Sequence, residues 1–218
     1  MSHDLETEIT KLDGRLIDMF CKAEQRVTMA FNSWKNKNEE HAKHVCATDG
    51  EIDRYEIKLD NKCFRILALQ QPVATDLRFV LSAVQMTTDI ERIGDYAKSI
   101  AKRTLCWMNH NDTPVCKLMP LIMDEVSNML QSTRDALISK NVDDCQQIRE
   151  LDDVIDEYNY VIIKWAQVEL NKPETTSEGL LDLVTICKSI ERIADHCTNI
   201  AEHIIFAENG EIVKHPTA

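Results

Sequence analysis

Glycine and proline are scarce, with five of each in 218 residues. Most tight-turn and bulge chemistry goes with them, so long helices with few connections are expected. The same scarcity removes glycine-rich phosphate cradles. The chain has no P-loop, no dinucleotide-binding glycine fingerprint, no G-x-S-x-G elbow and no kinase motif set. It also has no Glu-x-x-His, on which the ferritin-like di-metal plan relies. Positive charge is short: 25 Lys and Arg stand against 37 Asp and Glu, a net charge of −12. A nucleic-acid footprint needs clustered cations, so that class is excluded. No apolar run is long enough to cross a bilayer, and the first fifteen residues are polar, without the apolar stretch of a secretion signal. A cytoplasmic chain with reduced cysteines is the expectation. The eight cysteines make no C-x-x-C, which removes zinc-ribbon and thioredoxin readings and leaves buried small side chains.

What is present is helical periodicity. From Asp4 to Trp34, apolar residues recur in steps of three and four: Leu5, Ile9, Leu12, Leu16, Met19, Phe20, Ala23, Val27, Ala30 and Phe31. Asn36, Lys37 and Asn38 break that run, and a second helix is expected from about Glu40 to Leu69. Pro72 opens a third, reaching about Cys106. WMNHNDTP (107–114) is the clearest polar break. Beyond it the plan recurs. A fourth helix is expected over about Val115 to Ser139, and a fifth over about Val142 to Leu170. A sixth, opened by Pro173, ends near Asn209-Gly210.

The two halves are copies. IERIGDYAKSIAK (90–102) matches IERIADHCTNIAE (190–202), with Glu91 and Glu191 one hundred residues apart. Asp49 and Asp53 correspond to Asp152 and Asp156, and Pro72 to Pro173. An internal duplication of three helices predicts an all-α fold. Its form is two tandem, pseudo-symmetric, antiparallel three-helix bundles with six long helices. The expected units are 1–108 and 109–218, the second with a short C-terminal tail.

The repeat carries acids in pairs. Glu91 and Asp95 are four apart, hence neighbours on one helix face, and so are Glu191 and Asp195. Asp49 with Asp53, and Asp152 with Asp156, repeat the spacing one helix earlier. Like charges so placed repel by about 0.2–0.5 kcal/mol per pair, so solvent or a cation is wanted there. Phe79, Ala83, Met86, Ile90, Ala97 and Ala101 form the apolar stripe, which puts Glu91 and Asp95 on its flank, able to ionise without large desolvation. If neighbouring helices bring their pairs together, the result is an all-oxygen patch suited to hard cations. A solvated acidic face is the competing reading, because Arg92 can reach Asp95 and Arg192 can reach Asp195.

QPVATDLRFVLSAVQMTTDIERIGDYAKSIAK (71–102), with ERIADHCTNIAE (191–202), resembles the signature of the PhoU family over nearly the whole chain. The second copy departs from it at Asn171-Lys172-Pro173-Glu174, where the first has Gln70-Gln71-Pro72-Val73. The resemblance implies a signalling adaptor, not an enzyme. Such a protein negatively regulates the phosphate regulon and phosphate uptake. It does so by linking the ATPase subunit of the phosphate ABC transporter to the sensor histidine kinase. Peripheral association with that membrane complex and homodimerisation are implied as well. The family's acid-x-x-x-Asp motif falls on Glu91, Asp95, Glu191 and Asp195, with Asp49, Asp53, Asp152 and Asp156 as facing partners. It implies bound metal ions, singly or in multinuclear clusters, of Fe, Mn, Mg, Zn or Ni. A carboxylate-cluster metalloenzyme and a metal-free helical adaptor stand as alternatives.

Overall fold

The computed structural model describes residues 3–48, 50–110, 112–172 and 177–213. Among the described residues there are seven α-helices. They are α1 (His3–Lys35), α2 (Glu39–Ala47), α3 (Gly50–Gln70), α4 (Ala74–Trp107), α5 (Met119–Ser139), α6 (Val142–Glu169) and α7 (Ser177–Asn209). The expected three-plus-three plan holds, with one refinement: the second helix is built in two pieces, α2 and α3.

That division has a physical cause. A helix end leaves four carbonyls without intrahelical partners. Arg26, buried in the middle of α1, donates to Val45 O at 2.8 Å and Thr48 O at 3.3 Å. Its guanidinium therefore satisfies the end of α2. The sequence around Val45 shows none of this, because the satisfying group lies on another helix.

Elsewhere the local chemistry is ordinary. Lys37 takes a left-handed conformation (φ 48°), and Asn38 caps α2 by accepting from the His41 N–H at 3.0 Å. Asn141 caps α6 in the same way through the Asp143 N–H, at 2.9 Å. α5 starts at Met119, four residues later than expected, with Pro120 in its first turn, where a missing N–H does no harm. α4 starts at Ala74, so Pro72 belongs to the connection. Pro173 lies outside the described residues. α7 ends at Asn209, followed by Gly210 at φ +76°.

Two seams join the halves. Along the first, α4 and α7 run antiparallel: Arg78 donates to Ala207 O at 3.2 Å, Ser99 meets Ser189 at 3.1 Å, and Arg103 meets Asp182 at 3.3 Å. Along the second, α1 and α5 run antiparallel through Lys140–Asp13 at 2.6 Å, Arg134–Glu24 at 2.8 Å and Lys35–Asp124 at 2.5 Å. α3 flanks α4 and α6 flanks α7. One apolar core runs through both halves, from Leu12, Phe20 and Ile90 to Ile148, Ile190 and Ile204. Cys63, Cys116, Cys145, Cys187 and Cys197 are buried, as small hydrophobes would be, while Cys106 is exposed. Among the described residues no helix is long and apolar enough to cross a membrane.

Candidate functional site

α4 presents Glu91 and Asp95 on the side that α3 approaches. The approach is close because position 94 is glycine: a Cβ there would meet Ile52 Cδ1 at 2.6 Å. The duplicated hexapeptide differs at this one position, where the second half has Ala194. With α3 drawn in, Asp53 and Glu56 join Glu91 and Asp95 in one negative neighbourhood.

The charge there is costly to hold. Burial, then the nearby Asp95, push the Glu91 carboxyl up to about 7, against the opposing pull of Arg92, with Glu56 and Asp53 adding to the rise. Only 15% of its side chain is exposed. The expectation that Glu91 ionises freely on a flank is therefore corrected. The narrow gap left by Gly94 takes it out of solvent. Burial and Asp60 raise Glu56 likewise. Arg92 is the counter-charge, with its Nε 3.4 Å from Glu91 and its Nη1 3.5 Å from Asp95.

The second face is built on α6 and α7. Asp152 is buried at 8% exposure, and Asp156 is raised by burial and by Glu191 and Asp195. Here the neighbours differ. Asn159 stands where the first half has Glu56, and it donates to Glu191 Oε1 at 3.1 Å. Lys188 stands where the first half has Thr88, and it meets the same oxygen at 3.0 Å. Arg192 holds Asp195 at 3.0 Å. Glu191 Oε2 is left buried with no hydrogen-bond partner among the described residues. Asp152, Asp156 and Asp195 line an open cavity of about 690 Å3, together with Arg92, Arg192 and His196.

Glu91 and Asp95 thus gather with Asp53, and Glu191 and Asp195 with Asp156, while Asp49 lies outside the described residues. The acids are neighbours rather than a closed cage. Among the described residues, no three His, Cys, Asp or Glu side chains are grouped so as to hold a metal ion. As a donor set they suit a hard cation, all oxygen, with Glu191 Oε2 unsatisfied. Arg92, Lys188 and Arg192 supply positive charge in the geometry described.

Sequence reading missed Glu56 and Asn159, although each follows an assigned aspartate by three residues, on the same helix face. It also missed a buried polar cluster on the central seam. Asp89 of α4 contacts His196 Nδ1 at 2.7 Å and His203 Nε2 at 3.3 Å, and accepts from Asn199 at 3.1 Å. The spacing of 196, 199 and 203 marks one face of α7, which is the signal that was available.

The fold and the site together define a class: a duplicated three-helix repeat protein with an acid-x-x-x-Asp face in each half. The PhoU domain model matches residues 16–104 and 120–204, and the chain belongs to the PhoU family. It is 30% identical over 217 residues to a Pseudomonas aeruginosa protein described as a phosphate-specific transport system accessory protein PhoU homolog, covering 99% of this chain and 89% of that one. It is 28% identical over 215 residues to the accessory protein PhoU of Serratia marcescens, covering 99% and 88%. The crystal structure of the phosphate transport system regulatory protein PhoU from Streptococcus pneumoniae superposes with a TM-score of 0.90 at 26% identity, covering 97% of this chain and all of that one.

Proposed function

We propose that this chain is a regulatory adaptor of phosphate transport and phosphate homeostasis. It restrains the phosphate regulon when phosphate is plentiful by linking the transporter ATPase to a sensor histidine kinase at the cytoplasmic face of the membrane. The observation that carries this reading is the full-length likeness to phosphate-transport accessory proteins, with both copies of the acidic motif in place. Deleting the gene should raise expression of a phosphate-regulon reporter in phosphate-rich medium. Unchanged expression refutes the adaptor role. On this reading the units are 1–108 and 109–218. The working form is a homodimer, checked by light scattering as a species of twice the 25.0 kDa chain.

The acidic faces serve this role by holding hard metal ions: Glu91 and Asp95 with Asp49 and Asp53, and Glu191 and Asp195 with Asp152 and Asp156. The two faces are unequal. The first has the extra carboxylate of Glu56, whereas Asn159 and Lys188 partly satisfy Glu191 in the second. The first face is therefore the tighter cation site. Metal content of protein purified without chelator should fall more for Glu91→Ala/Asp95→Ala than for Glu191→Ala/Asp195→Ala. Equal loss removes the asymmetry, and metal indifferent to both changes makes the acids a charged face for a partner.

A further inference from the structure

One face of α3 changes character along its length. Residues 53, 56, 60, 64 and 67 follow one another in helical steps of three and four: Asp53, Glu56 and Asp60, then Phe64 and Leu67. The opposite flank of α3 is already engaged by α1, through Lys62 to Glu8 at 2.9 Å and Lys22 over the Tyr55 ring. The graded face looks across to α4 and the end of α7. There Leu81, Val84, Phe206 and Ile212 join Phe64 and Leu67 around a groove of about 370 Å3. Phe64 is 56% exposed, Leu81 45% and Ile212 75%. Large apolar side chains gathered this openly mark a surface that another molecule covers.

Charge says what kind of molecule. Asp60 sits one turn from Phe64, at the junction of the acidic and apolar stretches. It is half-buried, its Oδ1 has no hydrogen-bond partner, and no cation pairs with it among the described residues. The neighbouring ionic groups are engaged within the chain: Glu202 faces Arg149 at 3.5 Å, and Arg78 holds the last carbonyls of α7. A half-buried carboxylate without a partner is unfavourable, and a cation supplied from outside relieves it. A second copy of this chain carries a net charge of −12 and would bring more negative charge to the groove.

We propose that the groove between α3, α4 and the end of α7 docks a basic amphipathic helix of a partner protein. The helix lays apolar residues on Phe64, Leu81 and Phe206. One turn along, a Lys or Arg side chain of the helix meets Asp60. This is helix-in-groove recognition, in which apolar anchors give affinity and flanking charge sets direction and specificity. The site is distinct from metal binding and from the phosphate-regulon role, so failure of either leaves it standing.

The test is selection from a phage-displayed library of helical peptides on the full chain, with counter-selection on Phe64→Glu/Leu81→Glu. Both substituted residues are exposed, and circular dichroism confirms that the variant folds. Selected peptides should be net positive, with an apolar i, i+3/i+4, i+7 stripe and cations at one end. Leu81→Glu should weaken them about tenfold or more, the scale of losing one anchor. Asp60→Asn should weaken them several-fold and flatten the salt dependence while leaving the fold as stable or more so; a merely structural Asp60 would not separate these effects. Three results overturn the proposal: no enrichment, enrichment of neutral or acidic peptides, or binding indifferent to Leu81→Glu and Asp60→Asn. Sedimentation showing a dimer that Leu81→Glu dissociates also overturns it, because the occupant is then a second copy.

Discussion

At the residue scale, two carboxylates of α4 lie two positions apart and are handled in opposite ways. Glu91 has few donors and several like charges, so its folded form holds the proton up to about 7. A carboxyl raised in the folded state adds stability that is full below its unfolded value of 4.5 and is lost as pH rises through 7. Glu91→Gln should therefore stabilise the metal-free protein at pH 8 by about 1–3 kcal/mol, and by much less at pH 5. Urea denaturation at the two pH values measures it. Asp89 is the reverse. Burial raises it, but hydrogen bonds from His196, His203 and Asn199 outweigh burial and hold it below its ordinary 3.8. A depressed carboxyl adds stability that is present above 3.8 and lost as pH falls through the lower folded value. Asp89→Ala should cost about 1–3 kcal/mol at pH 7, with the gap to the parent narrowing in strong acid.

At the element scale, helix ends and close crossings decide where the chain turns. The start of α7 packs on the connection between the halves so closely that a Cβ on Gly179 would overlap Thr113 and meet His110 Cβ at 3.0 Å. Ala is the better helix former by about 1 kcal/mol, so propensity alone predicts that Gly179→Ala stabilises. The clash predicts the opposite, because overpacking costs about 1–3 kcal/mol. Thermal melting should show a lower midpoint, with α7 still helical by circular dichroism. Helix existence and register were legible from the three-and-four spacing of residues such as Leu12, Leu16 and Ile90, since that spacing is local. The division of α2 from α3 was not. The carbonyls it leaves are satisfied by Arg26, about twenty residues upstream in sequence and adjacent only in the folded chain.

At the scale of the molecule, the two repeats share the α4–α7 and α1–α5 seams and one continuous core. The three ion pairs between α1 and α5 are partly exposed and contribute little each, so the apolar seam carries the coupling. Ile162, buried in α6 at 1% exposure, lies in the second half. Ile162→Ala should lower stability by about 2–5 kcal/mol and shift a single calorimetric transition instead of splitting off a second. The stacked Trp34–Trp107 pair of the first half, 5.4 Å apart, should lose its packing in that same transition.

By itself the sequence determined the helices, the duplication, the pairing of Glu91 with Asp95 and of Glu191 with Asp195, and the family. All of these are written in spacing along one chain or in the match between two stretches of it. Only the tertiary structure decided how unlike the two acidic faces are. Gly94 admits Ile52 and draws α3 onto Glu91, whereas Asn159 and Lys188 reach Glu191 from a neighbouring helix and the preceding turn. Burial, not composition, turns equal motifs into unequal sites, and burial depends on which helices meet.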